Sequence, residues 1–395
     1  MTDPAPLHDR ISAPHELVVA MPHAPYVVRE LQRLGVSAAE QDSSEDLGLA
    51  LLGLPRDQVE LAVQNTPNPS EGAGVPLDRL LRRLYAAFGA DYGGWVPTMG
   101  KNRVLERVGA AHNIGGGGEA APTPAAGLPP READPGARVR VGVADSALWE
   151  HPWLAGAYRV APSALRHDDG GTPDRAAGHA TFVTGLVLQQ APGATVEVRR
   201  VLDDDGHADS WDVAKELVRF SRSGVDLLNL SFGCLTDDNR PPLVLATALD
   251  RLDPQLVVVA AAGNHRTAGA EPLVRPMWPA AFEEVLAVGA LTPDGELADW
   301  SPDPLRLPWV DVVAPGVGLR SAYLSGKVRL DDTGQKLGEF VHGFATWSGT
   351  SFAAARVSGA IAARTVPGRV DAATVLRGML EHPTRWWRGT VPWLA

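Results

Sequence analysis

Residues Thr346–Arg364, TWSGTSFAAARVSGAIAAR, constrain the fold more than any other stretch of this chain. A turn-like Ser348-Gly349-Thr350 runs into a segment made almost wholly of small residues: Ala353, Ala354, Ala355, Ser358, Gly359, Ala360, Ala362 and Ala363. A helix so nearly bare can lie close against a buried sheet. Ser351 stands at the start of that helix, where unpaired N–H groups and the positive end of the macrodipole stabilise a developing anion. Two uses of Ser351 fit the stretch taken alone, a helix cap and a nucleophile, and the choice turns on whether the chain supplies partners.

The rest of the pattern supplies the sheet. With 395 residues, 45% of them hydrophobic, the chain has enough apolar surface for a full α/β core and a second, smaller domain. From residue 138 onward, strands and helices alternate. Arg138–Ala144, Thr195–Val201, Val225–Leu230, Leu256–Ala262, Val285–Ala290 and Val310–Val313 read as strands. Gly178–Gln189, Ala208–Ser221, Leu243–Leu252 and Val370–Leu380 read as helices. Such alternation argues for a mostly parallel, doubly wound sheet with helices on both faces. Ahead of it, residues 14–65 read as β-α-β-α and Leu77–Phe88 as an amphipathic helix, a small α+β unit. Between them the composition shifts to Gly, Pro and Ala, a linker signature. The expected organisation is an N-terminal accessory or prosegment-like domain at 1–114, a linker at 115–137 and an α/β domain at 138–395.

Several function classes are disfavoured. A formal net charge of −11 without a dense basic run argues against nucleic acid. The single cysteine, Cys234, cannot form an internal disulfide. No secretory signal is visible at the N-terminus and no apolar stretch is long enough to span a bilayer, so a cytoplasmic protein without membrane contact is expected. VGVADSA lacks the glycine fingerprint of a dinucleotide binder after the first strand. The acidic loops Asp203–Asp205 and Asp237-Asp238 contain calcium-type ligands but no readable ligand spacing, so solvated charge is expected and no cofactor is implied.

Functional groups in open parallel sheets collect beyond the carboxyl ends of the strands. Asp145 ends the first strand of the α/β part, Asn264 follows LVVVAAAG, and His179 opens the helix GHATFVTGLVLQ. Singly, each has a bland use in a turn or cap. With Ser351 they form a chemically complete set: a hydroxyl, an imidazole to take its proton, a carboxylate to orient the imidazole, and a carboxamide for the tetrahedral intermediate. The order Asp, His, Ser matches one of the known triad orders.

On these residues the second domain resembles the subtilisin-like serine peptidases. VRVGVADSALWEHPWL resembles the family's aspartate block, GHATFVTGLV its histidine block, and VDLLNLSFG its substrate-pairing strand. VVVAAAGNH resembles the oxyanion block and SGTSFAAARVSG the serine block. The resemblance implies that Asp145 orients, His179 acts as general base and acid, Ser351 attacks, and Asn264 with the Ser351 N–H forms the oxyanion hole. Ser231, Phe232 and Gly233 would pair with an extended peptide, and Ala260, Ala261, Ala262 and Gly263 would form the opposite wall, with Met277 near the pocket floor. It implies endopeptidase action on peptide or protein substrates, and a prosegment-like N-terminal domain able to inhibit intramolecularly. The altered positions are Ala180 and Phe182, in place of glycine and a second histidine, and Phe352, Ala355 and Arg356, in place of methionine, proline and histidine. A subtilase fold that binds peptides without cutting them is the competing expectation. An acid-active serine-carboxyl peptidase is disfavoured by His179 and Asn264.

Overall fold

A computed structural model describes residues 12–64, 76–107, 121–132, 139–168, 170–236, 239–265, 275–331 and 333–395. The chain divides into two compact units. One contains residues 1–105 with 209–218 and 236–251; the other contains 106–208, 219–235 and 252–395. Among the described residues, no helix is long and apolar enough to cross a membrane.

In the first unit the strands Ser12–Ala20, Ala39–Ser44, Leu49–Gly53 and most of Met99–Arg107 pair antiparallel. Helices Ala24–Arg33, Arg56–Gln64 and Pro76–Asp91 contribute to its core, including Val27, Leu31, Val59, Leu80 and Leu84. Sequence patterning misses the last strand because Lys101, Asn102 and Arg103 are buried polar residues that break any apolar period. Their partners are distant in sequence. Lys101 pairs with Asp78. The Asn102 carboxamide accepts from Ser210 Oγ (2.8 Å) and the Trp211 N–H (3.0 Å), which caps the helix Ser210–Ser221 from outside. Two stretches that the sequence assigns to the second domain thus cluster with the first, so the compact units do not follow a single cut at the linker.

The second unit is built on a nine-stranded sheet. Its central strands, Val285–Leu291, Val257–Ala261, Leu227–Leu230, Arg140–Asp145 and Thr195–Arg200, are parallel neighbours in that order. Val257–Ala261 and Val285–Leu291 read as continuous apolar runs because every residue in them is buried, whereas Thr195–Arg200 alternates, with only Val196 and Val198 buried. The Trp-rich tail is a hairpin, Arg385–Trp387 with Val391–Trp393, joined to the sheet through Val313 opposite Trp393. Trp387 is buried and Trp386 exposed.

The bare helix, Thr350–Ala362, is buried along its whole length except at Arg356. It packs on the sheet and on the helix His179–Gln190. At their crossing, a Cβ on Gly359 would sit 2.8 Å from the Val187 carbonyl oxygen, so only glycine permits this approach. The described part of the linker is fastened to the second unit. Thr123–Pro124 pairs with Phe344–Trp347, and the Pro129 carbonyl accepts from Trp153 Nε1 at 2.7 Å. The remainder of 115–137 lies outside the described residues.

Candidate active site

Asp145 is the last residue of the strand Arg140–Asp145 and is fully buried. Its carboxylate lies 2.8 and 2.9 Å from Nδ1 of His179, the first residue of its helix, and accepts from the Ser146 N–H at 2.7 Å. An ionised carboxylate can only accept, so the Nδ1 proton faces Asp145 and Nε2 keeps its lone pair. The Ser146 hydroxyl accepts from the Ala180 N–H (3.2 Å), fastening the strand end to the first turn of the histidine helix.

Ser351 lies in the first turn of the bare helix, fully buried. Its Oγ donates to the Ser231 carbonyl (3.3 Å), while Ser231 Oγ donates to the Ser351 carbonyl (3.2 Å). Asn229 supports the exchange, donating to Ser231 Oγ and accepting from Ser358 Oγ. The imidazole of His179 lies 5.4 Å, centroid to centroid, from the ring of Phe352, the residue after Ser351.

The Asn264 side chain has its orientation fixed. Oδ1 accepts from the Thr350 N–H (3.0 Å) and from Thr350 Oγ1 (2.9 Å). The backbone donor identifies that atom as the oxygen. Nδ2 is buried and makes no hydrogen bond among the described residues. A buried amide donor without an acceptor costs free energy, and an anion formed at its end recovers it.

The two assigned walls extend neighbouring parallel strands, in which Leu230 is opposite Ala260. Ser231, Phe232 and Gly233 follow one, while Ala260 and Ala261 end the other and Ala262 and Gly263 come directly after it; all are buried. Met277 lies between them. A Cβ on Gly233 would meet its sulfur at 2.6 Å, and one on Gly263 would meet its Cε at 3.1 Å. Phe232–Gly233 pairs antiparallel with a segment of this same chain, Phe232 opposite Arg107 and Gly233 opposite Glu106. The pairing is a main-chain ladder and has no side-chain pattern to mark it.

Other residues singled out in the sequence have structural uses. Cys234 is buried and its backbone exchanges hydrogen bonds with Trp278 (2.8 and 3.0 Å). His151 Nδ1 accepts from the Trp153 N–H and its ring packs edge-on against Phe344. Asp203 closes its own turn, accepting from the Asp205 and His207 N–H groups. No cluster of metal-binding side chains occurs among the described residues, and Asp237-Asp238 lies outside them.

His265, beside Asn264, escaped the sequence reading. It is buried next to Trp309, and that burial, partly opposed by the Arg275 backbone, pushes its imidazole down to about 4. Between pH 6.5 and 4 the unfolded chain therefore takes up a proton that the folded chain refuses, so stability falls as the pH is lowered. A depression from 6.5 to about 4 corresponds to about 3 kcal/mol lost by pH 4, at ~1.4 kcal/mol per tenfold in proton affinity. Urea titrations at pH 7 and pH 4 should find this loss reduced in His265→Phe; an unreduced loss would refute the assignment.

The subtilase family model matches residues 136–367. Among curated proteins, the chain is 33% identical over 165 residues to the thermophilic serine proteinase of Bacillus sp. (strain AK1), covering 38% of each. It is 29% identical over 242 residues to subtilisin E of Bacillus subtilis (strain 168), covering 58% of this chain and 55% of that protein. The alignments thus span about two fifths and about half of those relatives' lengths. Among solved structures, the protease domain of PatA matches with a TM-score of 0.51 at 24% identity, over 65% of this chain and 92% of that one. A lanthipeptide protease matches with a TM-score of 0.50 at 22% identity, over 63% and 80%. These structures share the fold.

Proposed function

Because this chain belongs to the subtilase family, we propose that it is a serine endopeptidase that opens peptide bonds through an acyl-enzyme on Ser351. The observation that carries the reading is the buried Asp145–His179 hydrogen bond beside the first turn of the serine helix. His179 Nε2 takes the Ser351 proton as Oγ attacks the substrate carbonyl carbon. Asp145 holds the ring in that tautomer and stabilises the imidazolium. The oxyanion is received by Asn264 Nδ2 and the Ser351 N–H at the positive end of the helix. His179 then gives its proton to the leaving amine, and water releases the acyl group by the same steps in reverse. The substrate backbone pairs with Ser231–Gly233 as an added strand. Met277, which lies against both Gly233 and Gly263, suits a modest apolar side chain before the scissile bond.

The test is fluorophosphonate treatment of the full chain followed by intact-mass measurement. One adduct is expected, absent in Ser351→Ala. A chain that stays unlabelled in every form would leave the peptide-binding reading standing instead.

The strand Glu106–Arg107 supports intramolecular inhibition, since it occupies the edge at which a substrate would pair. Proline cannot donate to a ladder. Replacing both residues with proline should raise turnover of a peptide substrate about tenfold, the equivalent of one or two main-chain hydrogen bonds. Turnover equal to that of the parent chain would exclude the inhibitory role.

A further inference from the structure

The imidazole of His179, bonded to Asp145 at Nδ1, is also packed against aromatic rings. Trp347 stands edge-on to it at 5.8 Å and 87°, and Phe352 tilts against it at 5.4 Å. Those two rings touch each other at 5.0 Å. Phe182, one helical turn beyond His179, packs on Phe352 at 4.5 Å and on Trp347 at 5.7 Å. Tyr323 backs Trp347 at 5.7 Å, and its hydroxyl is fixed by the Arg175 carbonyl at 2.9 Å. All five side chains are at most 2% exposed. They come from the histidine helix, the serine helix, the strand that leads into the serine helix, and the residue following the strand Leu319–Ala322.

We infer that Phe352, with Trp347 and Phe182 behind it, is a positioning residue that holds the His179 ring in the plane set by Asp145 and keeps water from its face. This rests on the assignment of His179 as the general base. The hydrogen bonding at Nδ1 fixes one corner of the ring, and close-packed rings against its face restrict its tilt. Phe182 and Phe352 are two of the positions at which the sequence departs from the pattern it resembles. Lying in contact, they form one repacked unit instead of two independent losses. The charged groups on elements packed against the histidine helix are Arg140, Asp145, Arg175, Glu197, Arg199, Arg200, Arg320 and Arg356, of which Arg140 and Arg199 pair with Glu197 and Arg200 with Asp204. Asp145 bonds the imidazole, and the Arg175 guanidinium bonds the Leu330 carbonyl at 3.1 Å. None of the rings in the wall carries a charge, so its truncation acts on the imidazole through hydration and freedom of motion.

The experiment measures kcat, KM and the acid limb of the pH profile of kcat/KM for the full chain, Phe352→Ala and Phe352→Leu. In Phe352→Ala, kcat should fall about tenfold to a hundredfold, the scale of a small misplacement, with KM within twofold. The acid-limb midpoint should rise by half a pH unit or more, because water admitted beside the ring favours the imidazolium. Phe352→Leu, which keeps the site apolar and nearly filled, should retain the parent midpoint. An unchanged midpoint in Phe352→Ala overturns the inference, as does a loss confined to KM. If Phe352→Ala does not fold, Trp347→Leu replaces it with the same expectations. His179→Ala separates the two levels of the argument. If it still labels Ser351 at the parent rate, the assignment of the base is what fails; if labelling is lost while the Phe352 series is flat, only the aromatic wall fails.

Discussion

Asp145→Asn is expected to lower kcat about ten-thousandfold while leaving KM nearly unchanged, the scale of loss when the imidazole is held in the wrong tautomer. The carboxylate lies fully buried within 2.9 Å of Nδ1 through both of its oxygens, so a carboxamide in its place must turn one edge to the ring. The Ser146 N–H donates to Oδ1 and favours keeping an oxygen at that atom. The NH2 group then occupies the other position, 2.9 Å from Nδ1 in the parent chain, where its hydrogens oppose a proton on Nδ1, compete with the retained oxygen for that edge of the ring, and favour the tautomer protonated at Nε2. A ring protonated at Nε2 cannot accept the serine proton, and the imidazolium also loses its counter-charge. Removing a buried negative charge does not empty a cavity, so folding should survive; thermal melts and circular dichroism check that. Fluorophosphonate labelling should slow in parallel, since it requires the same proton transfer. A loss of less than tenfold, with the fold intact, would refute the role given to Asp145.

The residues that would perform this chemistry were legible because each stands at a position that the chain marks locally. Asp145 ends an apolar run, His179 opens a helix, Asn264 follows a glycine that ends a buried strand, and Ser351 opens a helix of small residues. These are boundary signals, and they survive without knowledge of what packs where. What the sequence concealed depends on contacts between remote segments. The Met99–Arg107 strand has no apolar period because its polar residues are satisfied by Asp78, Ser210 and Trp211, the last two more than a hundred positions away. The pairing of Glu106–Arg107 with Phe232–Gly233 is a main-chain ladder that no side-chain pattern announces. Phe182 and Phe352 were visible as departures, yet their contact spans 170 positions and appears only when the two helices cross. A histidine after an asparagine in a loop carries no signal of its burial, so the sequence does not mark His265.

Asn264→Asp is expected to cost a hundredfold to a thousandfold in kcat, the range measured when one donor of an oxyanion hole is removed. The substitution keeps the shape and keeps an oxygen where the Thr350 N–H and hydroxyl donate, so the start of the serine helix stays fastened. What it removes is Nδ2, the buried donor that finds no acceptor among the described residues. In its place stands a second carboxylate oxygen, which repels the negative charge of the tetrahedral intermediate. Because the substrate carbonyl carries little charge before attack, KM should change far less than kcat. Asn264→Ala loses the donor without adding a charge but also releases Thr350, so a deficit smaller than that of Asn264→Asp would show that repulsion outweighs the loss of that fastening. Thr350→Val leaves Nδ2 in place and removes one of the two bonds that aim it, so its deficit should be the smallest of the three. If Asn264→Asp stays within tenfold of the parent chain, the amide is a structural brace for Thr350 and the oxyanion is stabilised elsewhere.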